Sequence, residues 1–458
     1  MPYDWKNTEP ENPNVLRFPL FIAFLSGGLA LLGPFPRFAL LCLVVLTTFK
    51  NYRLTLAILL GLLLIFPAMI LDELPRARGN ELVGTVLSAG KRYLIVGDTR
   101  ILVNGQWQNS DKKVRVLGKN QAHPGDIVHV VVREWRTEGA YPKTSSVAER
   151  IASFYLPRRF SSILKRKSYT LRNEVASILD EYLTDVSYIA RGIVLGEKDE
   201  QMESFKKIGV AHFFAVSGFH VYLLAGLLLI PLRLLMISRK WRIFIPVVFL
   251  WIYLWIIDFP ASAVRAVGMI TLYGIFKSLD YPVEPLNILG AVGLANLVFN
   301  PEQILSVSFL LSYTATFGIL TVGRNLSKRI KQSRWNFILQ GIVFTFAAQT
   351  AILPISAMFF GSVHPYAFLA TMLLAWLVPF IMVGGIFLLI FHFVGITWLA
   401  KAIAGGTELL GLTIYKTVNL FDRMPLNTIP VQSYAVLYLL LIVSLSASIF
   451  FWHEGQIP

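Results

Sequence analysis

The chain has 458 residues, of which 55% are hydrophobic and only 15% are charged. Because soluble proteins carry about 25% charged residues, this composition excludes a wholly soluble protein and indicates a membrane protein with several spans. The formal net charge is +15, a bias that suits anionic lipid headgroups, a nucleic acid or both. A single cysteine, Cys42, excludes a disulfide framework or a cysteine cluster within one chain.

Short apolar runs begin the chain, at residues 18–33, 38–49 and 54–71. A transmembrane helix needs roughly 20 apolar residues, so the short middle run leaves both two and three spans open. No small-residue cleavage pattern follows the first run, and we interpret it as a retained span and not as a signal peptide. Residues 1–75 are therefore predicted to form N-terminal membrane spans.

The composition changes at residues 76–150, which are basic and contain no apolar span. Short runs of β type, separated by turn residues such as Asn104-Gly105, predict about five strands. This density of short strands is typical of a small barrel of the OB type, although a small sandwich would give the same pattern. The predicted strands are ELVGTVLSA, YLIVG, RILVN, KVRVLG and DIVHVVVREW.

A basic segment follows the predicted β domain. Residues 157–172 carry six basic residues and no acidic one, with apolar residues at helical spacing. The pattern predicts basic amphipathic helices at the membrane interface over residues 151–190. A solvated face beside lipid headgroups and a contact for phosphates are both open interpretations.

Residues 191–458 are predicted to form the membrane core. Basic clusters at 239–242 and 324–334 fall on the same side of the predicted spans, which the positive-inside rule makes the cytoplasm. Counting back through one span places the β domain on the outer side. The predicted fold is a polytopic α-helical membrane protein with a small extracytoplasmic all-β (OB-like) domain. The predicted core spans are 212–237, 243–257, 263–279, 286–299, 304–323, 336–358, 366–391, 394–418 and 434–452.

The stretch GVAHFFAVSGFHVYLLAG, residues 209–226, interrupts an apolar run with two histidines, a serine and a glycine. Ser217 and His220 have a spacing that puts both on one face of a helix, and Gly218 permits close packing or an unwound turn. Ionisable groups in membrane segments are functional candidates, although a hydrogen-bonded packing role is the commoner one. No ligand pair accompanies His212 or His220, so no metal site is predicted.

AVSGFH is also similar to the Gly-x-Ser-Gly serine motif of rhomboid-type intramembrane proteases, except that Ala215 stands at the first glycine. A rhomboid histidine comes from another helix, and His364 or His392 could take that part. An intramembrane serine hydrolase that uses Ser217 is therefore an alternative function.

Two further polar groups lie in predicted spans. Arg265 is near the outer end of its span, where it either extends to the interface along its aliphatic stem or faces a polar pathway and contacts an anionic substrate. Gln349, followed by Pro354, predicts a kinked helix that contains an amide. Hydroxyl side chains crowd the span at 304–323, a pattern typical of tightly packed helices.

Four stretches resemble the ComEC family, the inner-membrane DNA-uptake channels of natural transformation. VLGEKDEQMESFKKIGVAHFFAVSGFHV is similar to that family's Gly-Glu, acidic linker and His-Leu-Leu-Ala-Ile-Ser-Gly-Leu-His-Val pattern. PASAVRA, NPEQILSVSFLLSYTATFGI and AAQTAILPISAMFFGSV resemble three further elements in the same order. The resemblance makes His212, Ser217, Gly218, His220 and Arg265 key positions of a translocation core, to which we add Gln349 from the fourth stretch.

The resemblance implies a channel that translocates single-stranded DNA into the cytoplasm across the bacterial inner (plasma) membrane. The sequence holds no metallo-β-lactamase-like ligand set and no Walker loop, so we expect no enzymatic activity, no cofactor and no metal. The expected partners are single-stranded DNA, the lipid bilayer, and a separate DNA receptor, nuclease and cytoplasmic motor. A transporter of another anionic polymer or lipid is a further alternative, and the oligomeric state is open.

Aromatic and basic residues of the β domain are the candidate DNA contacts. Each base stacked on an aromatic side chain contributes about 1–3 kcal/mol, and basic side chains contact phosphates. Burial of the aromatic residues in a small core is the alternative. The candidates are Lys91, Arg92, Tyr93, Arg100, Trp107, Lys112, Lys113, Arg115 and Trp135.

Overall fold

The computed structural model of the chain describes helices and strands between residues 19 and 431. The predicted spans at 38–49 and 434–452, and nearly all of 54–71, lie outside the described residues, as do Lys91 and Arg92. Lys112 lies outside them too. The described residues are 19–31, 58, 60, 79–90, 93–103, 106–110, 113–118, 122–137, 144–154, 160–197, 199–214, 216–300, 303–304, 306–330 and 336–431.

The β domain is one mixed sheet with the strand order β1-β5-β6-β4-β2-β3. Strand β1 also pairs with β2, so five strands close on themselves and β3 extends β2 at an edge. The pair β4–β6 is parallel, and the other pairs are antiparallel. The strands are β1 (Glu81–Gly90), β2 (Tyr93–Val103), β3 (Gln106–Ser110), β4 (Val114–Leu117), β5 (Ile127–Thr137) and β6 (Thr144–Phe154).

Alternating side chains fill the interior of the closed sheet, as the β pattern of the sequence predicts. Leu94, Val116 and Val130 are fully buried there. The strands differ from the prediction in three ways. YLIVG and RILVN form one continuous strand, β2, and β3 and β6 were not predicted because QWQNS and TSSVAERIASF are largely polar. Strand β6 also runs past the predicted domain boundary at residue 150.

Helix α2 (Phe160–Tyr182) confirms the predicted basic helix and joins the β domain to the helical core. Arg166 Nη1 lies 2.8 Å from Asp126 Oδ1 of the β domain. Ser168, two residues later, contacts the helical core, because its Oγ donates to the Trp255 carbonyl at 2.6 Å. Basic residues of α2 are therefore structural contacts on at least one face.

Lys165 completes this junction. Its Nζ donates to the Leu87 carbonyl of β1 at 3.1 Å and lies 3.7 Å from Asp258 Oδ1, at the end of helix α6 (Arg239–Ile256). Burial lowers the pKa of Lys165 and raises the pKa of Asp258, because desolvation disfavours both charged forms. Lys165 thus links the β domain to the turn after α6.

The Arg166–Asp126 contact gives a testable stability prediction. The Asp126 side chain is only 7% exposed, so Arg166→Gln leaves a buried carboxylate short of a cation and is expected to destabilise the β domain by about 1–3 kcal/mol. Thermal unfolding and limited proteolysis of the full chain measure this. The control is Lys206→Gln, whose partner Glu203 is 64% exposed and which is expected to have no measurable effect. Equal stability of the two variants would contradict the assignment.

The helical core that follows confirms most predicted spans as helices. Span 304–323 differs, because α9 (Val307–Gly318) continues through a π-helical turn, Ile319–Gly323, into α10 (Arg324–Lys328). Among the described residues, two short 3₁₀ turns precede α5 (Gly218–Leu234), and β7 (Ser362–Val363) pairs with β8 (Ile429–Pro430). The other helices are α3 (Ser187–Leu195), α4 (Glu203–Lys207), α7 (Ala261–Ser278), α11 (Asn336–Phe360), α12 (Ala367–Val394) and α13 (Thr397–Asp422).

Two described helices are long and apolar enough to cross a membrane, Ile338–Phe360 within α11 and Ala367–Val394. Gly218–Leu234 and Pro285–Phe299 are apolar but shorter. These lengths are consistent with a membrane protein, and the larger number of crossings stays a prediction from the sequence.

Contacts divide the chain into two compact units, of which the smaller contains residues 1–75 and 271–304. Within it, α1 (Pro19–Leu31) packs on α8 (Pro285–Phe299). Leu20 N donates to Asn287 Oδ1 at 3.2 Å. A Cβ added at Gly290 would collide with the α1 backbone, so glycine is needed at this close helix crossing. The two runs are far apart in sequence, and no local pattern predicts this pairing.

Candidate functional site

The predicted interruption before α5 is present. The 3₁₀ turn Ala211–Phe214 ends, the chain becomes extended at Ser217, and α5 begins at Gly218. The Ser217 backbone N–H donates to His220 Nδ1 at 3.0 Å, in a histidine version of the capping box. Ser217 and His220 therefore define where the helix starts.

His220 is 1% exposed. Because Nδ1 accepts a hydrogen bond, the neutral ring carries its proton on Nε2. His220 Nε2 is buried and has no hydrogen-bond partner among the described residues. The ring thus presents a buried donor in addition to the nitrogen that caps the helix.

Helix α7 holds the chain at the interruption. Ser262 Oγ of α7 donates to the Val216 carbonyl at 2.6 Å. Within α5 itself, Val221 N donates to the Ser217 carbonyl at 3.3 Å. Ser262 is one helical turn before Arg265, so both face the same neighbour. Ser262 was not predicted from its own sequence pattern, although its position in PASAVRA could have indicated it.

The side chain of Arg265 extends from α7 and lies between α5 and α9. Its guanidinium is buried, with the residue 8% exposed, and Nη1 donates to the Ser312 carbonyl of α9 at 2.7 Å. A Cβ at Gly218 would lie 2.6 Å from Arg265 Nη2, so glycine lets the guanidinium take this position beside the start of α5. Arg265 therefore does not extend to the interface, one of its two sequence-based interpretations.

The charge of Arg265 is not balanced locally. In the part of the chain that the structure describes, no carboxylate forms an ion pair with it, and its Nε has no hydrogen-bond partner. The guanidinium also lies against the amino end of α5, which carries the positive end of the helix dipole. The site is consequently positive, buried and rich in donors.

Two of the predicted core residues, His212 and Gln349, have contacts away from the group around Arg265. The ring of His212 contacts the ring of Phe213 in a tilted arrangement, with centroids 4.5 Å apart, and the residue is exposed. Gln349 Nε2 donates to Thr371 Oγ1 at 3.3 Å and links α11 to α12. The structure thus gathers Ser217, Gly218, His220 and Arg265, and it adds Ser262 and Ser312.

The DNA-contact candidates of the β domain fall into different environments. The Arg115 guanidinium lies 5.1 Å from the centroid of the Tyr93 ring, and Trp107 is 47% exposed. Trp135 donates from Nε1 to the Gly79 carbonyl at 2.7 Å and packs on the core, as the burial alternative predicts. Of the remaining candidates that the structure describes, Arg100 is exposed and Lys113 is half-buried.

Comparisons with known proteins identify the family. A family model described as "Competence protein" matches residues 193–456, which include every residue gathered at the interruption. ComE operon protein 3 of Bacillus subtilis (strain 168) is 28% identical over 222 residues, 47% of this chain and 27% of that protein. The chain thus matches about a quarter of that relative's length, and no solved structure matches it. Because the family model covers more than half of the chain, the protein belongs to the Competence protein family of the ComEC type.

Proposed function

We propose that the protein is an inner-membrane channel that moves single-stranded DNA into the cytoplasm during natural transformation. Family membership supports a role in competence. The observation that carries the channel function is the buried Arg265 guanidinium without a carboxylate partner among the described residues. An unpaired buried cation lowers the stability of the protein, and ionisable residues within membrane segments mark substrate pathways, so Arg265 supports the passage of an anionic substrate.

The β domain is proposed to receive the strand on the outer side. Its closed sheet of five strands supports the OB interpretation, and OB folds bind single strands through aromatic stacking and a basic groove. Exposed Trp107 and the Tyr93–Arg115 pair supply these chemistries. The orientation rests on the basic clusters of the predicted cytoplasmic loops.

The multi-pass core would then conduct the strand past the interruption before α5. The sequence holds no Walker loop for nucleotide hydrolysis, so we propose a separate motor in the cytoplasm. A separate receptor and nuclease would deliver one strand of the incoming duplex.

The test follows labelled donor DNA in a strain that lacks the gene. Label is expected to accumulate outside the inner membrane and to enter the cytoplasm again when the chain is restored. Normal entry of label into the cytoplasm of the deletion strain would contradict the channel. If the deletion strain takes up DNA normally but no longer moves another anionic polymer across the membrane, the alternative transporter is supported.

One observation favours the serine hydrolase as a second candidate. Ser217 Oγ lies 3.2 Å from His220 Nδ1, a distance at which the histidine could accept the proton of a serine nucleophile. However, the same nitrogen accepts the Ser217 backbone N–H at 3.0 Å, so its lone pair already caps the helix. This use of Nδ1 favours a structural role for the pair.

Ser217→Ala separates the two functions. A channel keeps the backbone-to-histidine cap in this variant, so transformation is expected to stay within about threefold of wild type, with a stability loss of about 0.5–2 kcal/mol from the lost hydroxyl cap. Counting transformants per cell, at matched protein levels in the membrane, measures this. A hydrolase would lose all activity with its nucleophile, so complete loss of transformation in a folded Ser217→Ala chain would favour the hydrolase.

A further inference from the structure

We infer that Arg265, His220 and the amino end of α5 form a binding site for a backbone phosphodiester of the strand. The inference rests on the proposed function and deepens it, because it assigns a substrate group to named atoms.

The groups at the site are donors. A guanidinium has five N–H donors and no acceptor, and Arg265 uses Nη1 on the Ser312 carbonyl at 2.7 Å. The Nε and Nη2 groups form the other edge of the guanidinium, and Nε is buried without a partner among the described residues. This edge has the geometry that binds two oxygens of a phosphate side by side.

The second donor is His220. Its Nδ1 accepts the Ser217 N–H, which leaves a proton on the buried Nε2 of the neutral ring. The ring therefore offers a hydrogen bond without adding a charge. One positive charge at the site matches the single negative charge of a phosphodiester.

The third contribution comes from the backbone. The first N–H groups of a helix have no acceptor within the helix, and the dipole makes this end positive. Arg265 Nη2 lies so close to Gly218 that any larger residue would displace it. A cation at this helix end is unfavourable by itself, and an anion bound beside the Nε–Nη2 edge of the guanidinium would offset the repulsion.

The Ser312 carbonyl orients the arginine. It accepts Arg265 Nη1 and also Thr316 Oγ1 at 2.9 Å. Helix α9 therefore fixes one edge of the guanidinium and leaves the other edge toward α5. This division explains why an arginine, and not a lysine with its single charged nitrogen, suits the position.

The test measures binding of single-stranded oligothymidylate by the full chain in bilayer discs of zwitterionic lipid. Arg265→Gln is expected to weaken binding on the order of thirtyfold and to reduce the slope of log K against log salt by about 0.7, the value for one phosphate contact on a single strand. Arg265→Lys keeps the charge, so it is expected to keep the slope while losing affinity. An oligomer with uncharged methylphosphonate linkages is expected to bind equally weakly to wild type and Arg265→Gln.

A second variant tests the site without removing a charge. In His220→Asn, the side-chain oxygen takes the place of Nδ1 and keeps the helix cap, while the donor at Nε2 is lost. Affinity of the folded chain is expected to fall about tenfold, with an unchanged salt slope, while the lost ring atoms lower the unfolding temperature to some extent. A merely structural histidine would lose stability with unchanged affinity in the folded chain, and that result would overturn its role.

The remaining outcomes are distinct. An unchanged salt slope in Arg265→Gln, with salt-dependent binding by wild type, overturns the phosphate site and leaves the channel standing. No DNA binding by the wild-type chain overturns the proposed function itself. If Arg265→Gln instead loses a copurifying phospholipid, seen by native mass spectrometry, while the slope is unchanged, the site takes a lipid headgroup and the strand assignment is wrong.

Discussion

Replacing Arg265 by methionine is expected to reduce transformation strongly and to raise the stability of the protein. The guanidinium is buried and has no carboxylate partner among the described residues. Replacing buried charged side chains by apolar ones of similar volume often raises the stability of a protein by about 1–4 kcal/mol. Methionine loses one bond to the Ser312 carbonyl, worth about 1 kcal/mol. The net expectation is a gain of about 1 kcal/mol or more, with transformation reduced at least about a hundredfold.

The measurement pairs transformation frequency with thermal unfolding of the purified full chain. Lys401→Met is the matched control, because Lys401 is an exposed basic residue of α13. Its loss removes the same formal charge and is expected to leave transformation unchanged. If Arg265→Met instead unfolds at a clearly lower temperature, the arginine is a structural residue and the loss of transformation has another cause.

Gly218→Ala is expected to have the second largest effect. A methyl group at this position would lie 2.6 Å from Arg265 Nη2, so either the guanidinium or the start of α5 must move. We expect transformation to fall at least about tenfold, because a displacement of about 1 Å at a positioned group can cost a hundredfold. The same substitution would otherwise favour a helix by about 0.5–1 kcal/mol.

Gly226→Ala in the same helix is the control for Gly218→Ala. A Cβ at Gly226 meets nothing within 4 Å, so alanine there is expected to stabilise α5 slightly and to leave transformation intact. Transformation frequency at matched membrane levels checks both variants. Equal behaviour of the two would show that the contact between Gly218 and Arg265 has no functional role.

Local features were predictable because each has a signal in neighbouring residues. The interruption before α5 follows from Ser217, Gly218 and His220 in an apolar run, and the closed sheet follows from alternating residues such as those of β2. Strand β6 was missed because its sequence is largely polar. Its extended structure depends on hydrogen bonding to β4 and β5 and not on its own hydrophobic pattern.

Long-range features were not predictable from the residues alone. Arg265 and Ser312 are 47 residues apart, and the arginine donates to a main-chain carbonyl that every residue possesses. The hydroxyl side chains of that span indicated tight packing but not this bond. The role of Gly218 likewise depends on a side chain that arrives from another helix. Family resemblance marked Gly218 and Arg265 as important, and the structure supplies their contacts.

The most direct test of the channel uses sealed vesicles that contain the purified chain. An inside-positive potential drives an anionic strand inward, since each charge gains about 2.3 kcal/mol per 100 mV. With wild-type protein, labelled single-stranded DNA added outside is expected to become resistant to external nuclease, and with Arg265→Gln it is expected to stay sensitive. DNA that stays fully sensitive with wild-type protein in correctly oriented vesicles would contradict the account.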